Sequence, residues 1–335
     1  MTKRKKKMKK IFRYPLLVLF ILVIGWGTIK IWNRNDKEEN DNKVFAGDKY
    51  EEKFRAVGYE DQDIQVIQKY VSDKNKDYLL TEQVSISVAT GIINETYYID
   101  AYLEKYLNYY KDHASLEMDE VIRRVNTHLD VPFYTNTEKT DDTLGKFVIL
   151  NKHYYSDENY KGENLVDVSA EYNLYGTAFK LSEECYEAFL KMYEDAKNAG
   201  YGFKINSAYR SYESQVKIYQ GWVNQDGQEL ADTYSARAGY SEHQTGYAFD
   251  VRDSPFTNDD YAKTKSFTWV SKNAYKYGFI IRFPENKEYI TGYQYEPWHY
   301  RYVGLEAAKY IHEHAITFEE YYEYFIRFGN PRNLS

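Results

Sequence analysis

One uncharged, apolar stretch near the N-terminus limits the architecture more than any other feature. It covers residues 14–29, and the aromatic and basic residues up to Trp32 extend it through a membrane interface. A cleaved signal peptide would end in a small-residue site, whereas the residues that follow here are NRNDKEENDN. The sequence therefore predicts an uncleaved transmembrane anchor over residues 14–32.

Charge predicts the orientation of this anchor. The first ten residues are MTKRKKKMKK, and fewer lysines and arginines follow the apolar run directly. The positive-inside rule then places residues 1–13 in the cytoplasm and the body of the chain outside the cell. Residues 33–47 are polar and charged, which is typical of a flexible linker. A body that lies outside the cell and cannot form an internal disulfide suits a bacterium with a single membrane.

The body has the composition of a globular protein. Hydrophobic residues make up 43% of the chain and charged residues 28%, which is enough apolar material for a core. The net charge is −7, and the basic N-terminus makes the remainder still more acidic, which argues against a nucleic-acid partner. The single cysteine, Cys185, shares a helical face with Phe189 and Met192, and we interpret it as a core residue and not a nucleophile.

Residues 48–135 are predicted to form a helical module. Apolar residues recur at helical spacing in residues 99–110 and again in residues 118–129. Packing against the main domain is the simpler role for this module, and binding to the cell wall is the alternative. Pro132 and the polar residues after it mark the boundary of a second domain, residues 136–335.

The second domain mixes strands and helices without strict alternation, which favours an α+β fold over a doubly wound sheet. The expected elements are a small antiparallel sheet with helices flanking it. The segments KFVILN, FKINSAY, FIIRF and HYRYV are predicted as strands, and a helix is predicted around Cys185.

A candidate metal site lies in residues 241–251, SEHQTGYAFDV. If GYAFDV is a strand, Ala248 and Asp250 share one face, and the apolar residues between them face the core. Gly246 allows a sharp turn, so that His243 can lie over the same face. A catalytic zinc commonly takes three protein ligands, and His299 in EPWHYRYV supplies the third. This mixed nitrogen and oxygen set suits zinc and other divalent ions.

Two further residues complete the candidate site. Glu296 precedes His299 by three positions in extended chain, where a carboxylate can take and return a proton. Arg210 follows the predicted strand FKINSA and can hold a carboxylate or stabilise an oxyanion. By contrast, His312 and His314 in IHEHA are two residues apart in a helical segment, and we interpret them as surface residues.

Four separated segments resemble one known family. SEHQTGYAFD matches the pattern S-x-H-x-x-G-x-A-x-D, and EPWH matches E-x-x-H; both are signatures of the zinc D-alanyl-D-alanine carboxypeptidases of the VanY type, related to the VanX dipeptidases. SAYRSYESQ is similar to the arginine segment of this family, and residues 148–166 to its entry segment, with Lys161 and Gly162 in place of the usual proline region. The resemblance covers about residues 145–315.

The resemblance implies a Hedgehog-like α+β fold and a role for each matched residue. His243, Asp250 and His299 would hold one zinc ion, Glu296 would be the catalytic base, and Arg210 would bind the substrate carboxylate or the transition state. Ser241 and Gln215 are implied as further substrate contacts. The expected activity is removal of the C-terminal D-alanine from peptidoglycan stem peptides outside the cell. The alternatives are an L,D-carboxypeptidase that trims tetrapeptide to tripeptide and, in another class, an inactive wall-binding protein.

Overall fold

The predicted anchor and its flanking segments lie outside the residues that the structure describes. The structure, a computed structural model, describes residues 49–82, 84–253 and 261–329. Within those three ranges, none of the helices combines the length and apolar character that crossing a membrane requires. Two compact units are present, and the boundary between them falls between Ile64 and Gln65.

Six α-helices precede the sheets among the described residues. They are α1 (Glu51–Ala56), α2 (Asp61–Tyr70), α3 (Asp73–Thr81), α4 (Ile86–Asn94), α5 (Leu103–Asp112) and α6 (Met118–Asn126). The first belongs to the smaller unit, the second crosses the boundary, and the others belong to the larger unit. Both predicted amphipathic helices are confirmed as α5 and α6. The second of them buries Val121, Ile122 and Val125 and ends at Asn126, short of the predicted end at residue 129.

The larger unit is an α+β fold built on one four-stranded sheet, as predicted. Its strands are β5 (Lys204–Ser207), β6 (Ala248–Arg252), β7 (Phe279–Ile281) and β8 (His299–Tyr302), in the order β5-β6-β8-β7 with every pair antiparallel. Two smaller sheets pair β1 (Glu138–Lys139) with β2 (Tyr154–Tyr155) and β3 (Leu165–Asp167) with β4 (Lys180–Ser182).

The remaining helices lie between and after these strands. They are α7 (Glu183–Asn198), α8 (Tyr212–Asp226), α9 (Gln228–Ala231), α10 (Lys265–Asn273), α11 (Glu288–Thr291), α12 (Leu305–His314) and α13 (Phe318–Tyr321). A π-helix, Tyr322–Arg327, continues from the last of them. His312 and His314 are exposed on α12, which confirms their reading as surface residues.

The prediction of a strand over KFVILN is wrong. This segment begins as a 3-10 helix, Gly145–Phe147, and continues as extended chain that pairs with no strand of the described residues. The buried Arg301 side chain is the physical reason, because its Nη2 atom donates to the carbonyl oxygens of Lys146 (2.8 Å) and Val148 (2.7 Å). A guanidinium thus satisfies backbone acceptors that a neighbouring strand would otherwise bind.

One face of the sheet packs on α7. Cys185, Phe189 and Met192 are fully buried there against Phe249 and Tyr300 of the sheet. Burial raises the pKa of the Cys185 thiol far above its ordinary value. The prediction that Cys185 is a core residue is therefore confirmed, and its thiol is held in the unreactive protonated form.

The helical module is joined to the C-terminal π-helix through one buried carboxylate, Glu323. Its oxygens accept hydrogen bonds from Tyr102 of the module (3.4 Å), from His128 Nε2 (2.9 Å) and from Tyr154. Arg327, one turn further along the π-helix, lies 3.6 Å from the same carboxylate. A buried charge needs partners of this kind, and two of the four come from residues before the predicted domain boundary.

We expect a buried histidine to make folding stability depend on pH. His153 is 5% exposed between the rings of His128 and Phe133, its Nε2 atom has no hydrogen-bond partner, and burial lowers its pKa to about 4. Between pH 6.5 and 4 the unfolded chain binds more protons at this histidine than the folded protein does. The free energy of unfolding should therefore fall by about 3 kcal/mol as the pH drops through this range. Urea unfolding of the full chain and of His153→Phe at several pH values measures this, and parallel losses in both proteins would contradict it.

Candidate active site

A glycine-terminated turn places the first candidate ligand. His243 lies in a short 3-10 helix, Glu242–Thr245, which ends at Gly246 with φ of +74°. A Cβ atom on Gly246 would lie 2.5 Å from Leu165 Cδ2 and 3.3 Å from the backbone nitrogen of Ser182. The backbone angle therefore favours glycine, and any larger residue would also have to displace the Leu165 side chain; the sequence predicted such a sharp turn before the strand.

Pairing of two neighbouring strands brings the other two candidate ligands together. Asp250 of β6 lies directly opposite His299 of β8, and Phe249 beside it faces the core with Tyr300. The Oδ1 atom of Asp250 is 3.2 Å from His299 Nδ1, and its Oδ2 atom is 3.6 Å from His243 Nε2. Alternation along the strand thus places Asp250 on the face away from α7, as predicted.

These three side chains fit a metal ion. One ligand atom from each of His243, Asp250 and His299 lies within 4.8 Å of the other two. The Asp250 Oδ1 atom is buried and has no hydrogen-bond partner, although His299 Nδ1 lies 3.2 Å from it, as expected where the two atoms are directed at a shared point. Nδ1 of His243 is 2.7 Å from the Ala208 carbonyl oxygen, which can only accept, so Nδ1 carries the proton and Nε2 offers a lone pair. Burial and Arg210 lower the pKa of His243 to about 3, which keeps the ring neutral.

Glu296 lies at the edge of this group. Its side chain is 12% exposed, and its Oε2 atom is 3.5 Å from His299 Nδ1. The backbone nitrogen of Glu296 donates to the Phe283 carbonyl oxygen at 3.0 Å, which fixes the chain just before β8. Burial, helped by the charge of Asp250, raises the pKa of Glu296 to about 8. A carboxyl group in this environment can hold and release a proton near neutral pH.

Arg210 enters the same cleft after the end of β5. Its Nη1 atom donates to Gln215 Oε1 at 2.7 Å, and its Nη2 atom donates to Ser207 Oγ at 3.1 Å. Gln215 is buried and also donates to the Ala236 carbonyl oxygen at 2.6 Å. Gln215 therefore holds Arg210 in place. The predicted contact between Gln215 and the substrate remains a prediction. Ser241 is also buried and lines the cleft.

The cleft above these groups has a volume of about 540 Å³. Charged residues lie at its base, and its outer wall is apolar, formed in part by Ile218, Trp222 and Tyr234. The rings of Trp222 and Tyr234 meet edge to face at 5.5 Å, and Trp222 is 39% exposed. Such a cleft suits a peptide whose charged end reaches the base.

Sequence reasoning missed Lys152, which ties together two walls of the cleft. Its Nζ atom donates to the carbonyl oxygens of Asp232 (2.7 Å) and Gly292 (2.5 Å) and lies 4.5 Å from the centre of the Tyr293 ring. Burial lowers the pKa of Lys152 to about 8. The sequence signal is a lysine two positions after a run of apolar residues, in VILNK.

Sequence reasoning also missed Glu242, which lies between two residues of the recognised motif. Its carboxylate is fully buried and contacts two buried arginines, Arg282 and Arg301. Burial acts to raise the pKa of Glu242, but the two arginines outweigh it and hold the pKa below its ordinary value. The signal was present in FIIRF and HYRYV, where an arginine stands among apolar and aromatic residues, directly after β7 and within β8, and needs a buried partner.

Comparison with known proteins agrees with this geometry. The family model described as D-alanyl-D-alanine carboxypeptidase, VanY, matches residues 178–305. YodJ of Bacillus subtilis strain 168, whose name describes it as a carboxypeptidase, is 43% identical over 206 residues, which cover 58% of this chain and 76% of YodJ. A D-alanyl-D-alanine carboxypeptidase of Enterococcus faecium is 35% identical over 187 residues, which cover 54% of this chain and 58% of that protein.

A solved structure shows the same relationship in three dimensions. The LdcB LD-carboxypeptidase superposes with a TM-score of 0.52 at 38% identity, covering 56% of this chain and 91% of LdcB. The similarity therefore extends over nearly the whole of that protein, and a relative above 40% identity is covered over most of its length. The chain belongs to the VanY family of D-alanyl-D-alanine carboxypeptidases, which are zinc-dependent hydrolases.

Proposed function

We propose that this enzyme removes the C-terminal D-alanine from peptidoglycan stem peptides. The observation that carries the proposal is the convergence of His243, Asp250 and His299 within 4.8 Å, with Glu296 beside them and Arg210 in the same cleft. The names of the E. faecium relative and of the matching family model support this substrate class. An inactive wall-binding protein would have no need to keep all five groups.

In this proposal His243, Asp250 and His299 hold one zinc ion. When bound, zinc supplies Lewis-acid polarisation, which makes water a stronger nucleophile at neutral pH. Nε2 of His243 is available because its Nδ1–H is engaged with Ala208. Nδ1 of His299 faces Asp250 and Glu296, so it is the nitrogen directed at the same point.

Glu296 moves the proton in the proposed reaction. Its ionised carboxylate takes a proton from the attacking water, and its carboxylic acid then returns that proton to the nitrogen of the leaving D-alanine. The new C–O bond forms first at the carbonyl carbon while the carbonyl electron pair moves to its oxygen, and the amide C–N bond breaks when that pair re-forms the carbonyl group. Since burial already favours the protonated form of Glu296, the group is suited to both halves of this transfer.

Arg210 is proposed to offset negative charge on the substrate. Its guanidinium is held by Gln215 and Ser207. We expect Arg210→Met to lower kcat/KM by roughly 10²–10³-fold, the usual cost of removing a donor to a developing anion, and Arg210→Lys to lower it less. Steady-state kinetics on a stem pentapeptide measures both effects. Full activity of Arg210→Met would contradict this role.

We propose that the enzyme acts outside the cell, held to the membrane by residues 14–32. Support comes from the sequence: a basic N-terminus, an uncharged apolar stretch and a polar linker follow one another in order. Fractionation of cells that produce the full chain, followed by protease treatment of intact protoplasts, tests the proposal. Cleavage of the body and protection of the N-terminus is the expected result.

An L,D-carboxypeptidase is the second candidate, and the similarity to LdcB favours it. The two activities differ in the residue before the scissile bond, D-alanine in a pentapeptide and an L-centre in a tetrapeptide. Incubation of the zinc-loaded protein with purified pentapeptide and tetrapeptide, followed by mass spectrometry of the products, separates them. Loss of one alanine from pentapeptide alone supports the first proposal, and loss from tetrapeptide alone supports the second. No loss from either peptide would overturn both.

A further inference from the structure

A buried ionic cluster lies directly behind the proposed zinc site. Arg282 and Arg301 are among the largest fully buried side chains among the described residues. Two buried carboxylates, Glu242 and Glu319, accompany them. Two positive and two negative groups thus balance in the interior, away from solvent. A cluster of this kind is costly to desolvate, so its position next to a ligand calls for a functional reason.

The cluster holds Glu242 by one oxygen only. Oε1 of Glu242 is 2.8 Å from Arg282 Nε and 3.0 Å from Arg301 Nη1. The other nitrogens of Arg282 donate to Glu319, at 2.9 and 2.5 Å, and Arg301 Nη2 is bound by backbone carbonyl oxygens. The arginines therefore have fixed positions, and they fix the Glu242 carboxylate in turn.

The second oxygen of Glu242 faces His299. Glu242 Oε2 and His299 Nε2 are 3.9 Å apart, both are buried, and neither has a hydrogen-bond partner in the protein. Buried polar atoms are rarely left in this condition. Here the two unpartnered atoms are complementary, because one is a carboxylate oxygen and the other a ring nitrogen that can carry a proton. A movement of about 1 Å would bring them to hydrogen-bond distance.

We propose that Glu242 is the positioning residue for His299, orienting the ring so that Nδ1 is directed at the metal. The inference rests on the proposed zinc site. A metal at Nδ1 requires the proton of the neutral ring to be on Nε2, and Glu242 Oε2 is the acceptor that faces this atom. The two arginines hold the other oxygen of Glu242, which leaves Oε2 for His299. His243 uses a backbone carbonyl, Ala208, for the same purpose.

A matched pair of variants separates this role from general stabilisation. Glu242→Gln and Glu319→Gln each remove one buried carboxylate from Arg282, but only Glu242 faces His299. An amide has one acceptor oxygen. If that oxygen stays with the arginines in Glu242→Gln, the NH2 group of the introduced amide faces the Nε2–H of His299, donor against donor. We therefore expect zinc affinity to fall 10–100-fold in Glu242→Gln and to change little in Glu319→Gln.

In the experiment, the full-length wild type and both variants compete with a chromophoric chelator for zinc, which measures zinc affinity. Thermal unfolding of each metal-free protein measures its stability. Unchanged affinity in Glu242→Gln, or equal losses in both variants, would overturn the inference. If Glu242→Gln does not fold, nitrogen-15 NMR of the zinc-bound wild type decides: a protonated Nε2 on His299 supports the inference, and zinc at Nε2 refutes it. Wild-type protein that binds zinc but leaves stem peptides intact would refute the proposed function and leave this comparison valid.

Discussion

Glu296→Gln is expected to abolish most hydrolysis while leaving the metal in place. Glu296 contacts His299 from the edge of the ligand group, and proton transfer by a positioned carboxylate contributes roughly 10²–10⁴-fold to a rate. Glutamine preserves the size of the side chain and cannot exchange a proton. We therefore expect kcat on a stem pentapeptide to fall by that factor, with KM and zinc content close to those of the wild type.

Glu285→Gln is the control for this variant. Glu285 is an exposed carboxyl group on the loop between β7 and α11, so the same substitution there leaves the residues that line the cleft in place. Stopped assays with purified pentapeptide, together with metal analysis of each protein, measure both effects. If Glu296→Gln kept more than about a tenth of the wild-type kcat, another group would have to carry the proton.

Asp250→Asn is expected to release the metal and to end activity with it. Asp250 is the anionic member of the candidate ligand set and lies between His243 and His299, 3.6 and 3.2 Å from their ring nitrogens. Loss of a residue that only hydrogen-bonds to a metal ligand typically lowers metal affinity 10–100-fold. Loss of a ligand itself should therefore weaken zinc binding by more than about 100-fold. The fold should persist, because the backbone pairing of β6 with both neighbours does not depend on this side chain.

Metal content after dialysis and chelator competition measure this effect, and far-UV circular dichroism monitors the fold. Asp253→Asn is a suitable control, since Asp253 is an exposed carboxylate just after the same strand. Asp250→Asn that retained zinc as tightly as wild type would contradict the assignment of Asp250 as a ligand. Added zinc at high concentration should restore part of the activity if the variant is impaired only in affinity.

The local features of the site could be predicted because they follow from short-range rules. Two-residue alternation in GYAFDV placed Asp250 on the face opposite the core, and a glycine before the strand indicated the turn that carries His243. Four of the five strands predicted in the second domain are present. The meeting of His299 with Asp250 depends on pairing between distant strands, which the family resemblance supplied and residue periodicity could not.

The failures share one physical cause, a buried charge acting over a long sequence distance. The apolar run of KFVILN has the composition of a strand, but Arg301 occupies its carbonyl groups from a strand far along the chain. Glu242 likewise looks like a variable position inside a motif, since its partners Arg282 and Arg301 are remote in sequence. Lys152 has carbonyl partners in two loops that are distant from it. Patterns of apolar spacing contain no information about such pairings.

The carboxylate of Glu323 affects how the enzyme can be shortened. Tyr102, His128 and Tyr154, three of its four partners, precede residues 178–305, the segment that matches the family model. A fragment that began at the motif-bearing residues would leave a buried anion short of donors and would expose the apolar side of the π-helix. The segments that carry Tyr102 and His128 therefore stabilise the C-terminal part of the enzyme, and a shortened protein should retain them.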